Sequence, residues 1–289
     1  MLIIENSFCD VYKKALYTLV HYPEFISSPR GFKVHECLNA SLVIKNPLSN
    51  LFKNSYRGIP IKYLKKEVAL YLSARRDAEG FEEASKFWAN IKTQDNLINS
   101  AYGYLIFEGT KTVNGKTQFE WVVDSLKRDK DSRQAIMFFN KPEFQYDGNK
   151  DFVCTLNMIF HIRDNKLYAT TNMRSQDIRR GMQFDIPFFT LVQYLVYLEL
   201  KQVYPELSLG WYRHNCASLH IYDNLVGNES DIDLAKHMVE ADWSEDFMPM
   251  PKTTTVIKNP NIKNISEGNY TLYNVPGEDA QFYNWLMIK

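Results

Sequence analysis

Apolar residues recur every three or four positions in several stretches of the chain, and this spacing predicts amphipathic helices. Other stretches alternate apolar and polar residues or form short continuous apolar runs, which is typical of β-strands. Helices are predicted at residues 7–22, 60–75, 118–127 and 186–203, with a further helix, or a helix and a loop, at residues 80–96. Strands are predicted at residues 33–44 (broken near Asn39), 104–109, 135–139, 154–163, 166–173 and 209–222.

Local signals set the ends of several of these elements. Ser7 is a plausible N-cap, Pro60 stands near the start of a helix, and Asp164-Asn165 predicts a turn between two strands. The helix at 186–203 is apolar nearly all round, so it is expected to be buried. The pattern is less regular over 228–289, where residues 251–267 are expected to form an extended surface segment. Residues 1–289 are therefore interpreted as one α+β domain.

Composition and charge narrow the possible functions. The chain has 289 residues, a formal net charge of +0 and 45% hydrophobic residues, which is typical of a globular protein that is not a general nucleic-acid binder. A few arginines would still suffice to bind one small phosphate. The four cysteines have neither CxxC pairing nor zinc spacing, and no apolar run is long enough to span a membrane. We expect reduced thiols, no metal and a cytoplasmic location.

Cys154 is the first candidate for chemistry. Free cysteines are commonly buried and inert, and on the residue alone that alternative is the better one. Arg174, on the second strand of a predicted hairpin, could approach Cys154, favour its thiolate and bind a phosphate. The Ser175 hydroxyl could donate to the same anion. The residues therefore indicate a nucleophilic cysteine beside an anion site.

Three further residues have both a structural and a functional interpretation. Asp185 precedes Ile186-Pro187 at the start of the long helix, so it could be an N-cap or a ligand for a heterocyclic base. His220 and Tyr222 alternate on a strand and share one face, where they could bind a sugar hydroxyl or form a buried pair.

Several motifs taken together resemble the thymidylate synthase family. Cys154 is followed twenty positions later by R-S-x-D, here Arg174 to Asp177. A D-S-R motif, an H-x-Y motif and an E-x-x-x-[FY]-L helix occur in the family's order, at residues 131–133, 220–222 and 67–72. The match runs with few gaps from about Asp131 to Asn224 and more loosely from about Arg30 to Tyr104.

The resemblance implies a fold, an assembly and a role for each residue. It implies an α+β sandwich with a large mixed β-sheet flanked by helices, which dimerises through the sheet. Cys154 would add to ring carbon 6 of a pyrimidine nucleotide, and Glu67 would organise water and proton transfers. The 5′-phosphate would be bound by Arg30, Arg174, Ser175 and, from the partner subunit of a homodimer, Arg133. His220 and Tyr222 would face the sugar. The folate co-substrate, 5,10-methylene-tetrahydrofolate, would lie near Asp177, Trp88 and Tyr102.

Departures from the family pattern refine the expected reaction. Asp185 stands where thymidylate synthases have an asparagine that reads uracil, and aspartate there is similar to deoxycytidylate hydroxymethylases and cytidylate hydroxymethylases. The expected activity is 5-hydroxymethylation of dCMP, with CMP hydroxymethylation, thymidylate synthesis on dUMP and a non-catalytic nucleotide-binding homologue as alternatives. The second arginine that commonly follows D-S-R is Gln134 here, and the family's C-terminal closing segment is not recognisable in NWLMIK.

Overall fold

The computed structural model describes residues 1–109, 111–223, 225–226, 229–269 and 277–287. The helices in these ranges are α1 (Phe8–His21), α2 (Ile61–Leu72), α3 (Ala78–Ala84), α4 (Tyr102–Tyr104), α5 (Gln118–Arg128), α6 (Gln183–Lys201), α7 (Asp231–Glu240), α8 (Pro260–Ser266) and α9 (Ala280–Leu286). The strands are β1 (Leu2–Glu5), β2 (Phe25–Ser27), β3 (Val34–Ile44), β4 (Leu51–Asn54), β5 (Ile136–Phe138), β6 (Thr155–Arg163), β7 (Lys166–Met173), β8 (Gln176–Asp177), β9 (Ser208–Tyr222), β10 (Leu225–Val226), β11 (Glu229–Ser230) and β12 (Trp243–Asp246).

These elements form a mixed α+β fold, as the sequence predicted. Contacts group the chain into two compact units, residues 1–59, 168–193 and 209–248, and residues 60–167, 194–208 and 249–289. The interpretation as a single domain stays a prediction, as does dimerisation through the sheet. No helix in the described part of the chain is long and apolar enough to cross a bilayer.

The first unit is built on a mixed sheet. β3 pairs antiparallel with β9 and β2 and parallel with β1, and the short β8 pairs parallel with β9. The β3–β9 register passes over Asn39, whose φ of 50° is left-handed, at the predicted break. Helix α1 begins at the predicted cap, where the Ser7 side chain accepts from the Asp10 amide. It buries Phe8 and Tyr12 against Phe52 on β4.

The second unit carries α2, which contacts α3, α4, α8 and α9. Its β5 pairs antiparallel with β6, and α5 begins at a capping box formed by Thr117 and Glu120. The turn after β6 is the predicted one, since Asp164 and Asn165 both have positive φ, 49° and 53°.

Two predictions about secondary structure are wrong. Residues 104–109 are helical, because Leu105, Ile106 and Phe107 are all buried along a helical turn that follows α4. A short apolar run does not distinguish a strand from a buried helix by its periodicity.

The segment 251–267 is not an extended surface segment. It contains a 3₁₀ turn at Thr254–Val256 and helix α8, which starts where the Asn259 side chain caps a first turn that contains Pro260. Val256 and Ile262 are fully buried, so this segment belongs to the core of its unit. The less regular segment 228–289 also contains α7, β12 and α9, while residues 228, 270–276 and 288–289 lie outside the described residues.

Candidate active site

Cys154 lies directly before β6 in the second unit. Its position is fixed by the preceding residue, because the Asn140 side-chain amide donates to the Val153 carbonyl over 2.8 Å. Cys154 is partly exposed, whereas the other three thiols, at Cys9, Cys37 and Cys216, are buried. Burial raises the pKa of all three, that of Cys9 to about 11, which keeps them as unreactive thiols. Cys154 is therefore the most accessible of the four thiols, and its role as the nucleophile stays a prediction.

Glu67 is buried on α2 and receives two phenolic hydrogen bonds. Tyr63 donates to its Oε1 over 2.9 Å and Tyr71 over 3.2 Å. The Trp88 indole N–H donates to the Tyr63 hydroxyl over 3.1 Å. A carboxylate that accepts two such bonds is held in one orientation. The structure thus brings Glu67 and Trp88 into one network.

Tyr102 packs against the same network. Its ring centroid lies 5.6 Å from that of Tyr71 and 5.6 Å from that of Phe139. This approach depends on Gly103, because a Cβ there would lie 1.8 Å from the Tyr71 carbonyl oxygen. Tyr102 is therefore held near Glu67 by the contact between α4 and α2.

Arg133 lies in the turn before β5 and is exposed. The adjacent Ser132 is buried and its hydroxyl accepts from the Gln134 amide over 3.2 Å, which fixes the turn. The side chain of Arg133 is thus presented to solvent. Its role across a dimer interface stays a prediction.

The first unit gathers most of the predicted nucleotide-binding residues. The Arg30 guanidinium donates to the Tyr222 hydroxyl over 3.4 Å, from a turn in which Arg30 has a φ of 55°. Tyr222 meets His220 edge to face, with ring centroids 5.2 Å apart. Arg174 and Ser175 are partly exposed directly after β7, and the Arg174 charge contributes to lowering the pKa of His220. Arg30 therefore contacts Tyr222, and Arg174 is close enough to His220 to affect its charge.

Asp177 pairs with His220 in the β8–β9 register. One carboxyl oxygen, Oδ1, accepts the backbone amides of Arg179 and Arg180 and caps the π-helical turn Ile178–Met182. Burial raises the pKa of Asp177 and lowers that of His220, while their mutual attraction opposes both shifts. The other oxygen, Oδ2, is buried and accepts no hydrogen bond from any residue that the structure describes.

Asp185 lies inside helix α6 and is not its N-cap. The helix begins at Gln183 and continues the turn that Asp177 caps, so the capping alternative for Asp185 is wrong. Its Oδ2 accepts from the Gln176 side-chain amide over 2.9 Å. Burial raises the pKa of Asp185 to about 7, and the Gln176 hydrogen bond opposes this rise. Asp185 is therefore a carboxyl group that exchanges a proton near neutral pH.

Comparison with known proteins places this geometry in a family. The sequence model of the family described as Thymidylate synthase matches residues 48–271. The chain belongs to the thymidylate synthase family. It is therefore a one-carbon transferase of that family. Its relatives include hydroxymethyltransferases and thymidylate synthases.

Individual relatives differ in the base that their names specify. The chain is 29% identical to a deoxycytidylate 5-hydroxymethyltransferase of Enterobacteria phage T4 over 211 residues, 69% of this chain and 80% of the relative. It is 25% identical to a deoxyuridylate hydroxymethyltransferase of Bacillus phage SP01 over 235 residues, 78% of this chain and 60% of the relative. It is 26% identical to a thymidylate synthase of Bacillus licheniformis over 179 residues, 61% of this chain and 57% of the relative.

Sequence reasoning missed several residues that support the family's functional positions. Tyr63 and Tyr71 stand four residues before and after Glu67, so the helical period could have indicated both as its partners. Gln176 lies inside the R-S-x-D motif, where its bond to Asp185 depends on a turn that the sequence did not reveal.

Proposed function

We propose that this enzyme is a deoxycytidylate 5-hydroxymethyltransferase. The observation that carries the proposal is the state of Asp185, whose pKa of about 7 lets it keep a proton at neutral pH. A neutral carboxyl group offers one donor and one acceptor, which matches the ring nitrogen and amino group of cytosine. Uracil has the opposite arrangement, a ring N–H and a carbonyl, so a neutral carboxyl group distinguishes the two bases by which of its oxygens carries the proton.

The proposed covalent step belongs to Cys154. Its thiolate adds to carbon 6 of the pyrimidine, and the electron pair of the ring double bond makes carbon 5 nucleophilic. Carbon 5 would bond to the one-carbon unit and lose its proton, and the bonds from that unit to the folate nitrogens would break with tetrahydrofolate as the leaving group. Water would then add to the unit, and the 5,6 double bond would re-form as Sγ leaves carbon 6 as a thiolate. Glu67, fixed by Tyr63 and Tyr71, orients the water and accepts and returns protons.

Binding of the nucleotide is assigned to the first unit and to Arg133. Arg30, Arg174 and Ser175 provide donors for the 5′-phosphate, and Arg133 would add a charge from the partner subunit of a homodimer. His220 and Tyr222 would bind the sugar hydroxyl. The contact between Arg30 and Tyr222 supports this assignment, because it joins the phosphate and sugar residues at one place.

The folate co-substrate, 5,10-methylene-tetrahydrofolate, supplies the one-carbon unit when bound. The residues fit such a molecule, since Asp177 Oδ2 is a buried acceptor without a hydrogen bond in the described part of the chain. A pterin ring carries N–H donors that would satisfy it. Trp88 and Tyr102 would provide aromatic surface near Glu67 and restrict where water enters.

The base preference of Asp185→Asn tests the proposal. Wild-type enzyme is expected to turn over dCMP in preference to dUMP, and the product is expected to carry a hydroxymethyl group by mass spectrometry. The asparagine variant cannot act as a carboxylic acid, so we expect its preference to move towards dUMP. The same base preference in the wild type and the variant would refute the assigned role of Asp185. A methylated product from dUMP would identify a thymidylate synthase.

A further inference from the structure

A chain of buried hydrogen bonds leads from the core of the first unit to Asp185. The Tyr212 hydroxyl lies 2.8 Å from His214 Nδ1, and His214 Nε2 lies 2.8 Å from Gln176 Oε1. Gln176 Nε2 in turn lies 2.9 Å from Asp185 Oδ2. Tyr212 and His214 are fully buried and Gln176 is 2% exposed, so water does not compete for these bonds.

The direction of the hydrogen bonds, from donor to acceptor, follows from the groups that lie next to Gln176. Gln176 Nε2 also lies 3.3 Å from the backbone carbonyl oxygen of Asp177, which can only accept. The group facing Asp185 is therefore the amide NH₂, and the Gln176 oxygen must face His214. That oxygen requires a proton on His214 Nε2.

The remaining link is then determined. Burial lowers the pKa of His214 to about 3, so the ring is neutral and Nδ1 carries no proton. Tyr212 must donate its hydroxyl proton to Nδ1. Every bond therefore points from Tyr212 towards Asp185, and reversing one would require reversing all of them.

Gly181 provides the space for the last bond. A Cβ at this position would lie 2.5 Å from Gln176 Nε2 and 3.0 Å from Asp185 Oδ2. Even the smallest side chain would displace the Gln176 amide from the carboxyl group. The π-helical turn thus supplies a glycine where the amide and the carboxyl meet.

We propose that Tyr212, His214 and Gln176 are positioning residues that hold Oδ2 of Asp185 as an acceptor. When Asp185 is neutral, its proton is then confined to Oδ1, which becomes the donor offered to the base. This inference rests on the proposed function only for the identity of that base. The orientation of the carboxyl group itself is a property of the free protein.

The groups around Asp185 make its titration a direct readout of the hydrogen bond from Gln176. Among the described residues, Gln176 on β8 bonds to it, and Tyr212 and Cys216 on β9 interact with it electrostatically. Burial raises the pKa of both Tyr212 and Cys216, so they remain neutral while Asp185 titrates. The Gln176 donor favours the charged carboxylate. Its removal should therefore shift the Asp185 titration to higher pH.

The first experiment is nitrogen-15 NMR of histidine-labelled, ligand-free protein. His214 is assigned by its loss in His214→Gln, and the wild-type signal is expected to show a neutral ring with the proton on Nε2. In Tyr212→Phe the Gln176 oxygen still requires the proton on Nε2, so the same tautomer is expected, with the Nδ1 signal shifted because Nδ1 no longer accepts a hydrogen bond. A wild-type proton on Nδ1 would overturn the inference.

The second experiment uses Gly181→Ala, which keeps every polar atom of the hydrogen-bonded series from Tyr212 to Asp185. Carbon-13 NMR of aspartate-labelled protein follows Asp185, assigned with Asp185→Asn. We expect the titration midpoint to rise, and the ratio of dCMP to dUMP affinity to fall by about tenfold or more, because the proton of the neutral carboxyl group is no longer confined to Oδ1. For Tyr212→Phe in the first experiment, Tyr283→Phe is the matched control, since this buried hydroxyl has no hydrogen-bond partner among the described residues.

The two readouts distinguish the positioning role of Tyr212, His214 and Gln176 from the proposed function. An unchanged midpoint in a folded Gly181→Ala protein would refute the positioning role, whatever the substrate. Wild-type protein that binds no pyrimidine nucleotide would instead refute the proposed function. The NMR results on the free protein would still decide whether Tyr212, His214 and Gln176 position the Asp185 carboxyl group.

Discussion

The raised pKa of Asp185 predicts that this residue makes stability fall as pH rises. Its pKa increases from an ordinary value of 3.8 to about 7 in the folded protein. Below about pH 4 the carboxyl group is protonated in both states, and its neutral form is compatible with burial. Between about pH 4 and pH 7 the unfolded chain loses the proton while the folded protein keeps it, so unfolding becomes more favourable.

The size of the effect follows from the shift. About three pKa units at 1.36 kcal/mol each give up to about 4 kcal/mol of unfolding free energy, lost progressively across that interval. The variant Asp185→Asn carries an amide that does not titrate, so its stability lacks this contribution. The difference between the two proteins cancels the titration of all other groups that they share.

Urea unfolding of ligand-free wild-type and Asp185→Asn protein, followed by tryptophan fluorescence, measures this difference. At intervals from about pH 5 to pH 8, the free energy of the wild type relative to the variant should fall with a slope approaching 1.36 kcal/mol per pH unit and then level off. Parallel stability curves for the two proteins would show that Asp185 has an ordinary pKa and would remove the main support for a neutral carboxyl group.

Three further substitutions test other parts of the account. Cys154→Ala is expected to abolish turnover while nucleotide binding, measured by calorimetry, persists; full activity would exclude the covalent step. Gly103→Ala is expected to lower the unfolding free energy by more than about 3 kcal/mol, because its Cβ would overlap the Tyr71 backbone, and a thermal melt like that of the wild type would contradict this. Tyr71→Phe removes a hydrogen bond to a carboxylate and should lower kcat by about tenfold or more with little change in nucleotide affinity. An unchanged kcat would show that Glu67 does not need this donor.

The sequence predicted the elements whose signals are local. Helix α1 begins at Ser7 because its hydroxyl caps the first turn, and the hairpin turn falls at Asp164-Asn165 because both residues tolerate left-handed backbone. The strand predicted at residues 154–163 followed from its apolar pattern, and β6 occupies Thr155–Arg163 directly after Cys154. These features depend on a few neighbouring residues.

Other features depend on contacts between distant residues. Asp185 looked like a cap because Pro187 follows it, but Asp177 had already capped the turn that leads into the helix. The bond between His214 and Gln176 requires the parallel pairing of β8 with β9, which periodicity does not reveal. The helical state of residues 104–109 was likewise decided by burial.

The most direct test of the central claim is tritium release from ring-5-labelled dCMP, CMP and dUMP in the presence of 5,10-methylene-tetrahydrofolate. The ultraviolet absorbance of dihydrofolate is followed in the same reactions. The account predicts release from dCMP without any rise in that absorbance, because hydroxymethylation leaves the folate unoxidised. Release from CMP alone would show that the substrate is the ribonucleotide CMP and not dCMP. Release from dUMP with the rise would contradict the account and identify a thymidylate synthase.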